Sequence, residues 1–267
     1  MNSRRIAMAI AALGLIAAGC APHLVQVPEL GVAAREARYR QLLAAREALG
    51  QSVDAQVVLW AKGNRAARLP SAEGRLLLAA PDAFRLRVGS IIGTALDFSV
   101  HGDSLTAYVP PRRQAVSIDA ERDTLGLMRP GGLGFRGLSA MWRVPDEAWS
   151  TAVWEDSLVR VRWLEDEDTL SVAVGSSGLP AWASLTRVDQ GGVRVAYRGW
   201  DRSGGAPWPN LLEVSDLKGP FSVTCKLSVL RFQSRVDPTR LRVPIPASTE
   251  RLTLADLRRV LERLGAM

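Results

Sequence analysis

The sequence predicts a mainly β protein, a single curved antiparallel sheet of about eleven strands forming an incomplete barrel, with a helical lid, an N-terminal helix and a short C-terminal helix. Three observations predict it. Between residues 53 and 234 apolar side chains recur mainly at every second position, the period of half-buried strands. A sustained helical period appears near the two ends, over residues 30–49 and 252–267, and Thr124 to Met128 can add one helical turn between the strands. Strand follows strand without βαβ alternation, which argues against a parallel sheet.

The chain opens with Arg4 and Arg5, an apolar run over residues 6–18, and Ala17-Ala18-Gly19-Cys20. The run is too short to span a bilayer, which needs about 20 apolar residues. A basic start, a short apolar core and small residues before a cut site describe a secretory signal. The cysteine just after the small residues resembles a bacterial lipobox, although Ala17 stands where leucine is commonest. Residues 1–19 are therefore expected to be removed, and Cys20 to carry the lipid as the first mature residue. Two or more acyl chains tether a protein stably to a membrane. Ala21, where an aspartate would favour inner-membrane retention, leans the expectation to the outer membrane, facing the periplasm.

Residues 20–30 contain Pro22 and Pro28 and read as a tether; residues 31–251 are expected to form one domain. Val32, Tyr39, Leu42, Leu43 and Leu49 give the N-terminal helix its apolar side, and Gly50 stops it. Val53, Ala55, Val57, Leu59 and Ala61 then alternate with Asp54, Gln56, Val58, Trp60 and Lys62. Phe84, Leu86 and Val88 alternate with Arg85 and Arg87; Leu96, Phe98 and Val100 with Asp97, Ser99 and His101. Leu105, Ala107 and Val109 follow a turn, and a short strand is expected over 115–119. Residues 110–148 form a long irregular insertion whose apolar side chains include Leu125, Met128, Leu133, Phe135, Leu138, Met141 and Trp142. Long irregular connections in compact domains are often lids or binding loops, and these seven residues are the candidate ligand-contacting set.

Strands are expected to resume over 148–155 and to continue over 159–163, 170–174, 181–187, 193–200, 210–217 and 221–234. The last slips phase near Leu230, which predicts a bulge. Thr253 with Asp256 looks like a capping box opening the final helix, where Leu254, Leu257, Val260, Leu261 and Leu264 form an apolar stripe.

Reactive side chains are few. His23 lies in the tether and His101 in a turn, and no Gly-x-Ser-x-Gly elbow supports a nucleophilic site. No His or Cys pair stands at metal-ligand spacing. The acidic run 165–168 lacks the spacing of a calcium loop and reads as a solvated hairpin turn. Neither enzymatic activity, nor a metal, nor a cofactor is expected. If Cys20 is lipidated, Cys225 has no disulfide partner and reads as a small buried hydrophobe. Of eight tryptophans, Trp142 and Trp208 are the candidates for roles outside the core. The net charge of +7 falls to +5 once Arg4 and Arg5 leave, and 31 of the 34 basic residues are arginine. This excess leaves room for a basic face toward anionic lipid; export makes nucleic acid an improbable partner.

The segments Val53-Asp-Ala-Gln-Val-Val-Leu-Trp60, Glu73 to Val88 through Ala80-Pro-Asp-Ala-Phe-Arg85, and Gly93 to Pro110 through His101-Gly-Asp-Ser104 resemble the LolA/LolB-like lipoprotein-trafficking superfamily and its less characterised lipoprotein relatives. The resemblance is strongest over residues 50–110. It implies an unclosed barrel with a helical lid and an apolar cavity for acyl chains of a lipid or a lipoprotein. The Trp-rich second half and the final helix depart from it. Two functions follow as expectations: a membrane-anchored protein binding lipid or lipoprotein acyl chains, or an envelope scaffold acting through protein partners.

Overall fold

The computed structural model describes residues 30–62, 71–90, 93–101, 104–119, 135–165, 167–187, 191–202, 205–219, 222–253, 255, 256 and 259. Cys20, the signal and tether up to residue 29, Leu125, Met128, Leu133 and most of the expected final helix lie outside the described residues.

Helix α1 runs Val32–Leu49 and ends at Gly50, whose φ of 124° only glycine adopts easily. A Cβ there would also stand 2.5 Å from the Gln233 carbonyl oxygen. The strands are β1 (Ser52–Lys62), β2 (Ala72–Ala79), β3 (Ala83–Ser90), β4 (Gly93–His101), β5 (Ser104–Val109) and β6 (Gln114–Asp119), with a 3-10 turn η1 (Pro110–Arg112) before β6. Two short helices follow, α2 (Phe135–Ser139) and α3 (Asp146–Trp149). Then come β7 (Val153–Glu155), β8 (Leu158–Glu165), β9 (Asp168–Val174), β10 (Pro180–Arg187), β11 (Gly191–Asp201), β12 (Trp208–Asp216) and β13 (Ser222–Gln233). A 3-10 turn η2 (Pro238–Leu241) and β14 (Glu250–Arg251) complete the order.

The fourteen strands of the described residues form one sheet, ordered β14-β6-β5-β4-β3-β2-β1-β13-β12-β11-β10-β9-β8-β7. The incomplete barrel of the sequence reading is therefore found, with more strands than the eleven expected. Every pairing is antiparallel except that of β14 with β6. The expected strand over 148–155 is corrected at its start. Pro145 and the acidic Asp146 and Glu147 suit a helix N-terminus, so residues 146–149 turn as α3 and only Val153–Glu155 pairs. The bulge lies where the phase slip placed it. Asp54 pairs with Arg231 and Gln56 with Ser228, so Ala55 faces two residues, and Val229 takes a φ of 51°.

The concave face carries the main core. It joins Val53, Ala55, Val57, Leu76 and Leu78 to Val159, Val161, Leu170, Val172, Val195 and Leu212, with Tyr39 from α1 and Phe135, Trp142 and Trp149 from the α2–α3 region. A second apolar cluster, Leu105, Val116 and Ile118, lies on β5 and β6 with Leu252 packed against it. The convex face is not uniformly solvated. Residues 234–249 return across β2–β4, and Val236 and Leu241 cover Leu77, Ala79 and Ala83. Asp97 and Ser99, on the polar side of the alternation, are consequently buried.

Candidate functional site: two halves of the concave face

One half is filled by side chains that helix α1 delivers. Arg35, Tyr39, Leu42 and Arg46 fall at helical spacing and are its buried residues. Arg35 reaches across to the β7–β9 end of the sheet. Its Nε donates to the Leu30 carbonyl at 2.9 Å, and its Nη1 to those of Ser157 and Val174 at 2.7 and 3.0 Å. Its guanidinium also lies 4.5 Å from the Trp154 ring centroid. Arg46 lies at the other end of the helix, 3.9 Å from the Trp208 centroid, and its Nη1 donates to the Ala140 carbonyl at 3.2 Å. Both cations meet carbonyl oxygens and π faces, the partners a guanidinium can use without a carboxylate, while Arg35 Nη2 and Arg46 Nε and Nη2 find no hydrogen-bond partner among the described residues.

Between them runs a hydrogen-bonded chain. Tyr39 Oη donates to the Trp142 carbonyl at 2.7 Å, Trp142 Nε1 donates to Tyr197 Oη at 2.8 Å, and Tyr197 Oη donates to the Gly137 carbonyl at 2.8 Å. Burial pushes both phenols far above their ordinary value, so each stays protonated and can donate. Burial pushes the Arg46 guanidinium down to about 9, against the pull of Tyr39 and Tyr197, and it stays charged at neutral pH. These bonds fasten the irregular segment 135–149 to the sheet. The assignment of Trp142 and Trp208 to roles outside the core is thereby corrected: both are buried, one by its indole hydrogen bond and one beneath Arg46.

The other half is apolar and only partly covered by described residues. Phe84 and Leu86 on β3, Leu96, Phe98 and Val100 on β4 and Ala107 on β5 share the concave face through their register, and all are half-buried. The Phe84 and Phe98 rings stand 5.5 Å apart, joining the rim of the main core to that of the smaller cluster. No ionisable side chain interrupts this wall at the paired concave positions from Phe84–Val100 to Val88–Leu96.

Among the candidate residues from sequence, Phe135, Met141 and Trp142 sit in the main core and Leu138 packs against it. Arg35, Arg46 and Tyr197 are the residues that sequence reading missed here. His101 is exposed at the end of β4, opposite Ser104. Of the acidic turn, Glu167 is exposed, whereas Asp168 is buried and accepts from Arg187 Nε at 2.7 Å. Cys225 is buried, which pushes its thiol up to about 12.

No protein-family model and no curated protein sequence matches the chain. Its fold does match solved structures. A LolA superfamily protein from Nitrosomonas europaea is 12% identical with a TM-score of 0.50, over 77% of this chain and 97% of that one. An outer membrane lipoprotein-sorting protein domain from Vibrio parahaemolyticus is 11% identical with a TM-score of 0.49, over 76% and 97%. The Mycobacterium tuberculosis lipoprotein LppX is 15% identical with a TM-score of 0.31, over 77% and 99%. At these identities the likeness is one of fold, and the fold of this chain is the LolA/LolB-like half-barrel.

Proposed function

We propose that the chain is a lipid-anchored envelope protein that holds acyl chains, of a lipid or a lipoprotein, against the concave wall of β3–β5 and carries out no covalent chemistry. Cys20 would be its lipidated residue and the outer membrane, on the periplasmic side, its site. The observation that carries the reading is the row Phe84, Leu86, Leu96, Phe98 and Val100, apolar, half-buried and facing inward. Each methylene moved from water onto such a wall contributes about 0.8 kcal/mol, so a chain of ordinary length binds without any polar anchor. The sequence resemblance and the Nitrosomonas LolA superfamily fold support the same reading.

The test is native mass spectrometry of the full chain after gentle extraction, together with titration of an acylated peptide. Co-purified lipid, and peptide affinity lost tenfold or more in Phe98→Asp, are the expected results. A protein that carries no lipid and ignores the acylated peptide overturns the proposal. A second reading, an envelope scaffold, draws on the filled half of the concave face, where side chains occupy the interior. Removing residues 254–267 separates the two: loss of a protein partner with acyl binding intact favours the scaffold.

A further inference from the structure

The convex face carries a feature that acyl binding does not use. Arg75 and Leu77 of β2, Arg85 and Arg87 of β3 and Arg240 of η2 line one cavity of about 250 Å³. Four guanidinium groups thus converge on a space bordered by two carboxylates, Asp54 and Asp97. Both carboxylates are buried in the wall, and their oxygens are already engaged. Asp54 accepts from Arg75 Nε and Nη2 at 2.6 and 2.7 Å and from Arg240 Nη2 at 2.8 Å. Asp97 accepts from Arg85 Nε and Nη2 at 2.8 and 2.6 Å. The remaining Arg85 nitrogen, Nη1, donates to the Arg240 carbonyl at 2.9 Å and locks η2 to the sheet.

What remains is an excess of two positive charges with donors to spare. Arg75 Nη1 and Arg240 Nε make no hydrogen bond among the described residues, and Arg87 approaches Asp97 only to 3.6 Å. Arg75 and Arg87 are also direct cross-strand partners. Like charges directly opposite one another across a sheet repel and destabilise it, unless an anion sits between them. A guanidinium fork matches the oxygens of a phosphate group two at a time.

We propose that this cavity binds a phosphate group, either as a free anion or as part of an anionic lipid headgroup. Arg75, Arg87 and Arg240 are its ligands, and Arg85 is a positioning residue that fixes Arg240 through its carbonyl. The site stands on the other face of the sheet from the acyl wall and does not depend on the function proposed for it.

Binding is measured by calorimetry on the full chain in non-ionic detergent at low salt. The probes are inorganic phosphate, dihexanoylphosphatidylglycerol and, as the zwitterionic control, dihexanoylphosphatidylcholine. Saturable binding of phosphate points to the free anion, and binding of phosphatidylglycerol alone points to the headgroup; either supports the site. Arg75→Gln/Arg87→Gln is expected to weaken binding at least tenfold and to reduce its dependence on salt. Arg87→Gln alone, which keeps the Arg75–Asp54 ion pair, relieves the cross-strand repulsion and leaves the ligand-free melting temperature unchanged or higher, an outcome a purely structural role would not give. Arg87→Gln alone serves if the double variant does not fold, and Arg87→Lys retains part of the affinity. No binding of either anion, binding equal to that of phosphatidylcholine, or unaltered affinity in the variants overturns the proposal.

Discussion

Along β8–β13 the concave face is packed with Trp142, Trp149, Tyr197 and Trp208 and capped by Arg35 and Arg46, whereas along β3–β5 it presents Phe84, Leu86, Leu96, Phe98 and Val100 half-buried. The same two-residue alternation builds both halves. They differ in what crosses the face. Helix α1 and residues 135–149 spend their hydrogen bonds on the first half, where two cations, two phenols and an indole become fixed points. The lesson is that polar interlocking and bare apolar surface are separated in space: one half is closed by hydrogen bonds, and the other is left apolar.

Substitutions matched across the halves test this separation. Trp208→Ala removes a ring that lies under Arg46 and edge-on to Phe232 at 5.2 Å. It is expected to cost about 3–5 kcal/mol in urea unfolding. An equal loss from Phe98→Ala would break the comparison; about 1–2 kcal/mol is expected there, with the larger effect on acyl affinity. Tyr197→Phe deletes the hydroxyl shared by Trp142 and Gly137 and is expected to cost about 1–3 kcal/mol without changing acyl binding.

The convex side supplies a pH test. Burial pushes the Asp54 carboxyl up, but the hydrogen bonds and charges of Arg75 and Arg240 outweigh it and hold the group below its ordinary range. The folded value lies below the unfolded one, so the ion pairs stabilise the fold fully above the ordinary carboxylate range. That contribution is lost as pH falls through the lower, folded value. Acid unfolding of Asp54→Asn should therefore be less steep over that interval, from a lower plateau at neutral pH. The smallest signal is chemical. Cys225, with its thiol pushed up to about 12, should resist a thiol reagent in the folded protein. On unfolding, one thiol should react if Cys20 carries a thioether, and two if it does not.

Much of the sheet was legible because alternation is local. The strand positions, the end of α1 at Gly50 and the bulge opposite Ala55 follow from near neighbours in sequence. The capping box is also found: Asp256 N donates to Thr253 Oγ1 at 3.2 Å, and Thr253 N to Asp256 Oδ2 at 2.9 Å. Arg35 and Arg46 were not legible as interior residues, because an arginine at helical spacing ordinarily marks the solvent face. Only the carbonyls and indoles brought from residues far along the chain make their burial tolerable. Asp97 likewise reads as solvent-facing until residues 234–249 fold back over β3 and β4. The parallel pairing of Glu250 and Arg251 with Gln114 and Ala115 leaves no mark in either segment. The apolar wall of β3–β5 was visible as alternation, but its partial exposure depends on where the helices lie.

The seam between β1 and β13 has a consequence for the order of assembly. Every other antiparallel contact joins strands that follow one another along the chain, so β1–β6 and β7–β13 are two meanders whose pairings can form early. The seam joins residues 52–62 to residues 222–233, and loop-closure entropy makes such a contact late and slow. Until it forms, Val53, Ala55 and Val57 have no opposing wall of Leu212 and Leu227, and each meander exposes an unpaired edge. A chain emerging from its N-terminus must hold the second edge of β1 in reserve until nearly the whole sheet exists. For this interval the open edges of β1 and β13 are where a stalled molecule would pair with a second copy of itself.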